Sequence, residues 1–259
     1  MKVITLNCFL SPWSPGRKKR LSFLIKALTG EKPDIILLQE VFFKSDANYI
    51  VKNLEKYGFI DHFYSKTLLV ISRYNFISRT HKNFKNHFER NILLYVNEIL
   101  NWLYGKGYQI IKVNFNNIPI VVVNTHLLSA YGLDYGSFRK ARLRQLLEIC
   151  GYLKKIDAKK IILGGDFNFD INSPSYQVAT NDYEFDDPLR EVKGNTISTD
   201  NLNRQFFLMA KMNQRLDHFF TKGLDRIRIS GQIIFREPFS VGGKKLHVSD
   251  HYGLALNVQ

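Results

Sequence analysis

Cysteine is scarce. The chain has two in 259 residues, Cys8 and Cys150, which excludes a disulfide framework and a cysteine-rich zinc site. Each lies in an apolar segment and reads as a buried thiol used for packing. No internal repeat, low-complexity tract or linker interrupts the chain, and its seven prolines are scattered as punctuation. One domain spanning residues 1–259 is therefore expected. No apolar run approaches membrane-spanning length. The N-terminus lacks the apolar core and cleavage site of a signal peptide, because Lys2-Val3-Ile4-Thr5-Leu6-Asn7 already reads as a strand. A cytoplasmic location is the default expectation, with secretion by another route left open. Acid is also in short supply. Asp and Glu number 23 against 37 Lys and Arg, a net charge of +14. Such a surplus speeds association with polyanions: nucleic acid, an anionic membrane surface or phosphorylated small molecules. A basic surface that is merely soluble is an equal reading, because net charge governs association rather than fold. What is plentiful is apolar residue, 45%, which places the chain among globular proteins with a substantial core.

Hydrophobic periodicity predicts strands over residues 3–7, 34–40, 68–72, 92–96, 108–115, 118–125, 160–164, 215–221, 226–235 and 252–258. Asn116-Asn117 reads as a hairpin turn. Helices are expected over residues 17–28, 46–56 and 135–155. The first carries Leu21, Leu24, Ile25 and Leu28 on one face, with Arg17-Lys18-Lys19-Arg20 as its solvated face. The third carries Leu143, Leu146, Leu147 and Ile149 against basic residues. Helices follow the early and middle strands, yet hairpin-like pairs also occur. The mix suits an α/β (α+β) arrangement: two packed mixed β-sheets flanked by helices, a four-layer sandwich.

Several of these strands end in polar groups: Leu6-Asn7, Leu38-Gln39-Glu40, Val123-Asn124-Thr125-His126 and Gly165-Asp166-Phe167-Asn168. Leu216-Asp217-His218 and Ser249-Asp250-His251 add two acid–histidine pairs. One polar strand end is routine. Carboxylates, amides and imidazoles at the ends of several strands can be aimed into one cleft, where metal-assisted attack on a phosphate ester needs cation, base and phosphate clamp together.

With these residues in this order, the chain resembles the endonuclease/exonuclease/phosphatase superfamily over nearly its whole length. The matching elements are Asn7, Gln39-Glu40, Leu69-Val70-Ile71-Ser72-Arg73, Thr125-His126, Gly165-Asp166-Phe167-Asn168, Leu216-Asp217-His218-Phe219 and Ser249-Asp250-His251. The resemblance implies that Glu40 is the principal Mg²⁺ ligand, since a hard cation takes oxygen ligands and keeps several waters. Mn²⁺ is the expected substitute. It implies that Asn7 sits beside Glu40 and helps hold metal or phosphate. His126 would face the phosphate and stabilise its developing charge, and Asn168 would donate its amide to a phosphate oxygen. Asp166 would position the attacking water, as a metal ligand in its own right. His251 is the expected general base, oriented by Asp217. Asp250 would make a further metal contact or a structural bond. His218 matches no family role and reads as structural.

Within the superfamily the likeness is to neutral sphingomyelinases. It is carried by Leu6-Asn7-Cys8-Phe9 with the following Pro-Trp-Ser-Pro, by the segment ending Lys106-Gly107, and by Asn124-Thr125-His126-Leu127 running on to Arg139-Lys140-Ala141-Arg142-Leu143. It implies a lipid phosphodiesterase. A DNA- or RNA-cleaving nuclease is the alternative, favoured by the positive charge, and a non-catalytic binding protein on the same scaffold is a third reading. The apolar run from Phe206 to Met209 is either a buried strand or a membrane-dipping hairpin tip. No obligate protein partner is implied.

Overall fold

The computed structural model describes residues 1–85, 99, 105–129, 138–204, 212–224 and 227–259. The expected strand over residues 92–96, the start of the third helix and the run from 206 to 209 lie outside the described residues. Two mixed sheets pack face to face. The first comprises β1 (Lys2–Asn7), β2 (Ile35–Gln39), β3 (Asp61–Ser65), β4 (Leu68–Ser72), β10 (Ile229–Ile234) and β13 (Gly253–Val258), in the order β10-β13-β1-β2-β4-β3. The second runs β5-β6-β7-β8-β9, made of β5 (Ser78–Asn83), β6 (Gly107–Phe115), β7 (Ile118–His126), β8 (Ile161–Asp166) and β9 (Asp217–Lys222). A small ribbon, β11 (Phe239–Val241) with β12 (Lys244–Leu246), precedes the last strand. β1 and β2 are parallel, as are β7 and β8; the other pairs are antiparallel.

Alternation along the strands builds the layers. Val3, Ile35, Leu37 and Val70 meet Ile111, Ile120, Val122, Ile162 and Phe219 between the sheets. Their neighbours Ile4, Leu6, Ile36 and Leu38 point the other way, onto Leu21, Leu24 and Leu28 of α1 (Arg17–Gly30) and Ile50 and Leu54 of α2 (Lys44–Glu55). On the far side, Val121, Val123 and Leu163 pack against Leu146, Ile149 and Leu153 of α3 (Arg139–Lys155). The result is the four-layer sandwich expected from the sequence.

Three expectations need correction. Arg20 is not part of a solvated face: it is fully buried, while Lys18 and Lys19 are exposed. In α3 the buried residues are Arg142, Gln145, Leu146, Ile149, Cys150 and Leu153, and Leu147 is 39% exposed. The strand ending in Glu40 stops one residue earlier, because Glu40 takes a left-handed backbone (φ 56°). The hairpin turn is as read: Asn116 and Asn117 both have positive φ (49° and 63°), as a type I′ turn demands.

The inter-sheet layer changes character along the strands. Beyond the apolar rows lies a band of buried amides. Gln39 Nε2 donates to Thr5 Oγ1 (3.0 Å) and Asn124 Oδ1 (2.7 Å), and Asn124 Nδ2 donates to Leu38 O (3.1 Å). Gln109 Nε2 donates to Phe63 O (2.9 Å). These bonds stitch one sheet to the other and fix their relative placement. Glycine permits the close approach: a Cβ on Gly164 would lie 3.0 Å from the Leu37 side chain of the facing sheet. One step further along the strands, the polar ends converge.

Candidate active site

Parallel pairing places Asn7 beside the end of β2, and His126 beside Asp166. Antiparallel pairing then sets Asp166 opposite Asp217, the first residue of β9. Strand ends from both sheets therefore meet at one mouth. Asn7 Nδ2 spans the two sheets, donating to Glu40 Oε1 (3.1 Å) and Asp166 Oδ2 (3.0 Å). Its Oδ1 accepts from the Phe9 N–H (3.0 Å). That assignment is fixed by the network, because the flipped amide would turn its oxygen toward two carboxylates. Phe9, Glu40 and Asn168 all adopt positive φ (50°, 56° and 52°). Strain of this kind persists only where the surroundings over-determine it, and it gathers at functional sites.

His126 Nε2 approaches the same two oxygens, 3.2 Å from Asp166 Oδ2 and 4.0 Å from Glu40 Oε1. Burial and the Lys106 charge lower His126 to about 4. The imidazole is therefore neutral at pH 7 and accepts from the Lys106 ammonium, Nζ to Nε2 at 2.7 Å. Lys106 also donates to Leu127 O (2.8 Å). Burial lowers Lys106 to about 8, against the pull of Asp166 and Glu40. Burial alone would raise Asp166, but His126, His251 and Lys106 hold it well below the usual carboxylate range. Asn168 donates its side-chain amide to Leu127 O (3.2 Å), and its N–H binds Asp166 Oδ1 (3.0 Å).

The last two members arrive on a separate loop. His251 Nδ1 hydrogen-bonds Asp217 Oδ2 at 2.8 Å, leaving Nε2 4.0 Å from Asp166 Oδ2. Burial would lower His251, but Asp217 and Asp166 raise it to about 10. Thr196 Oγ1 accepts the backbone N–H groups of Leu216 (3.0 Å) and Asp217 (3.2 Å). Ser249 Oγ donates to Asn7 O (2.5 Å) and accepts from the His251 N–H (3.2 Å), tying the loop to β1. Two buried amides brace it further: Asn201 donates to Ser249 O (3.0 Å) and Asn203 to His247 O (2.7 Å). Asp250 stands at the rim, 3.9 Å from Arg204, and its charge adds to the pKa of Glu40.

The structure thus brings Asn7, Glu40, His126, Asp166, Asn168, Asp217, Asp250 and His251 to one cleft. His218 points to the opposite face of β9. It sits among Phe167, Phe169, Tyr176 and Phe220 and bonds Phe169 O (2.8 Å). Cys8 is buried in the core, and burial raises its thiol pKa far above the usual range. Thr196, Asn201 and Asn203 were not singled out from the sequence, and Lys106 was named only within the sphingomyelinase-like segment, with no role in the site.

The donor set fits a hard divalent cation. Burial and the Asp250 charge raise Glu40 to about 7, yet 20% of its side chain opens to the cleft. An accessible carboxylate crowded by burial and like charge is stabilised by a cation. Asp166, Asp217 and His251 also offer ligand atoms within 4.8 Å of one another. In that trio Asp217 Oδ2 and His251 Nδ1 are committed to each other, while the Asp166 oxygens accept from Asn7 and from the Asn168 N–H and keep further lone pairs for a cation.

A model of the Endonuclease/Exonuclease/phosphatase family matches residues 4–251, from β1 through His251. The chain belongs to this family. A fruit-fly protein (Drosophila melanogaster), provisionally named a neutral sphingomyelinase, is 24% identical over 97% of this chain; the chain spans 59% of that protein's length. Among solved structures, beta toxin from Staphylococcus aureus superposes with a TM-score of 0.81, at 18% identity and with both chains covered in full. A double mutant of that toxin, solved with bound magnesium ions, superposes at 0.75, with 16% identity over 100% of this chain and 99% of the toxin. Sphingomyelinase C from Streptomyces griseocarneus gives 0.79, with 17% identity over 99% of this chain and 98% of its own. At such identities the family likeness extends to the fold. Among the described residues, no helix is long and apolar enough to cross a membrane.

Proposed function

We propose that this protein is a Mg²⁺-dependent phosphodiesterase that hydrolyses sphingomyelin-type lipids, with Mn²⁺ able to replace Mg²⁺. The observation that carries the hydrolytic reading is the His251–Asp217 pair, whose free nitrogen faces Asp166 beside Glu40 at the shared mouth of the two sheets. Glu40 would hold the cation, with Asp166 and Asp250 as further carboxylates and Asn7 keeping Glu40 and Asp166 in position. The bound cation supplies polarisation of the phosphoryl oxygen and neutralisation of developing charge.

The chain's own residues do the rest. Asp217 accepts the Nδ1 proton of His251 and so fixes the tautomer that presents Nε2 to the cleft. Nε2 takes the proton of water as its oxygen bonds to phosphorus and the ester oxygen leaves. His126, Lys106 and Asn168 also gather around Asp166. There Lys106 supplies fixed positive charge and Asn168 a side-chain amide to the phosphoryl oxygens, with His126 accepting from the Lys106 ammonium and holding it in place.

The lipid reading rests on the neutral-sphingomyelinase name of the fly relative and the sphingomyelinase C likeness. The net charge of +14 favours a second substrate, nucleic acid. The deciding experiment is a panel with Mg²⁺ or EDTA: sphingomyelin vesicles, bis-p-nitrophenyl phosphate, plasmid DNA, RNA and inositol phosphates. Mg²⁺-dependent release of phosphocholine is the expected result. Nuclease activity without lipid turnover would reverse the substrate assignment, and inactivity on every ester would end the enzymatic reading.

A further inference from the structure

Trp13 is 83% exposed. Single exposed apolar side chains are ordinary on protein surfaces. Trp13 differs in how it is held. It occupies the third position of a turn closed by the Ser14 N–H on Ser11 O (3.1 Å) and by Ser14 Oγ on the same carbonyl (2.8 Å). Pro12 before it fixes its own φ. Beneath the turn, the buried Arg20 donates to Ser14 Oγ (2.9 Å) and Pro15 O (3.0 Å). Its other nitrogen reaches Cys8 O and Val248 O, both at 3.0 Å. The turn is therefore clamped to the two segments that carry Asn7 and Ser249-Asp250-His251. A large ring is held out in water on a turn tied to both segments that lead into the cleft.

Its surroundings are basic. Lys18 and Lys19, in the first turn of α1, are exposed. The β11–β12 ribbon packs against the same helix: Phe239 stacks on Phe23 (3.7 Å between ring centres), and Leu246 lies 3.1 Å from where a Cβ on Gly16 would stand. Lys244 and Lys245 of that ribbon are exposed too. Arg17, the remaining cation of the helix start, is spent on Asp46.

We infer that Trp13, flanked by Lys18, Lys19, Lys244 and Lys245, is an interfacial anchor that seats the mouth of the cleft on a bilayer containing anionic lipid. An indole suits the boundary between headgroups and acyl chains, being apolar in body with one N–H. Lysines beside it are drawn by the negative surface potential. A single-stranded nucleic acid is the poorer fit, since it calls for successive stacking aromatics along a basic groove. The inference builds on the lipid reading of the substrate, but its test does not depend on turnover.

The chain has two tryptophans, Trp13 and Trp102, so Trp102→Phe leaves one reporter. In EDTA, vesicles of phosphatidylcholine, sphingomyelin and phosphatidylserine should shift its emission to the blue. In the otherwise native chain, Trp13→Ala should weaken vesicle sedimentation about tenfold, with hydrolysis of bis-p-nitrophenyl phosphate unchanged. Lys244→Glu with Lys245→Glu should weaken binding by about tenfold or more on vesicles containing phosphatidylserine, and far less on vesicles without it. Equal vesicle affinity for Trp13→Ala and the native chain overturns the anchor even if sphingomyelin is hydrolysed. A Trp13 response to single-stranded DNA and none to vesicles also overturns it. Docking without sphingomyelin turnover upholds the anchor while the substrate assignment falls.

Discussion

Replacing Asp217 with Asn removes one negative charge at constant volume from beneath His251. Asp217 is fully buried, and its Oδ2 lies 2.8 Å from Nδ1 of His251. Two effects follow, one on stability and one on rate. The folded pKa of His251, about 10, lies above its ordinary 6.5. The stabilisation from protonated His251 is therefore complete below about pH 6.5 and is lost as pH climbs through about 10. At pH 7 the shift amounts to about 4 kcal/mol. Asp166 contributes part of it, so Asp217→Asn should cost somewhat less than that. Urea unfolding in EDTA measures this cost. The gap between variant and native chain should be widest near pH 6 and close toward pH 10. The rate responds differently. His251 must be neutral to take the proton of water, so activity rises with pH as it deprotonates. Losing Asp217 lowers that pKa and moves the acid limb of the pH–rate profile to lower pH. The plateau should fall about 10²–10⁴-fold, because an amide no longer enforces the correct tautomer. An unmoved acid limb with native plateau activity would refute the assignment of His251 as base and Asp217 as its orienter.

Two other substitutions test the remaining parts of the site. Glu40→Gln should abolish turnover and with it the stabilisation by Mg²⁺, which for the native chain is about 2.7 kcal/mol at a hundredfold excess over Kd. Thermal scans with and without Mg²⁺ read the second effect, and a Mg²⁺-stabilised Glu40→Gln variant would remove Glu40 as the principal ligand. Lys106→Met should lower kcat/KM about 10²–10³-fold through lost charge stabilisation, with partial recovery in Lys106→Arg; steady-state kinetics on bis-p-nitrophenyl phosphate within twofold of native would show that Lys106 only packs.

What the sequence made legible follows the depth of each element in the fold. The inner strands announced themselves as apolar runs because both faces are covered. β3 and β5 were missed for the opposite reason. Each is the last strand at one edge of its sheet, and Asp61-His-Phe-Tyr-Ser and Ser78-Arg-Thr-His-Lys-Asn carry few of the apolar residues by which strands are recognised. The two misjudged helices share one cause. Arg20 lies four and eight residues before Leu24 and Leu28; Arg142 lies four, seven and eleven before Leu146, Ile149 and Leu153. Both arginines continue the apolar stripe at helical spacing and are buried with it. At these positions periodicity outweighs residue type, because a guanidinium can be buried where several carbonyls receive it, as Cys8, Pro15 and Val248 do for Arg20.

Lys106 is a different kind of omission, since its position was derivable. The Asn116-Asn117 turn fixes the register of the hairpin, pairing Phe115 with Ile118. Counting outward, Tyr108 faces Thr125, and two residues more would set Lys106 opposite Leu127, next to His126. The structure agrees: Lys106 donates to the Leu127 carbonyl at 2.8 Å and to His126 at 2.7 Å. A turn recognised from two asparagines therefore carries a lysine some ten residues away into the candidate site. The acid–histidine pair has no comparable local signal. Asp217 and His251 are 34 residues apart, and they meet through the Thr196 hydroxyl and the Asn201 and Asn203 amides. Those three lie in a stretch with no hydrophobic period to mark it, so only the fold could reveal that a polar loop region holds the proposed base in place.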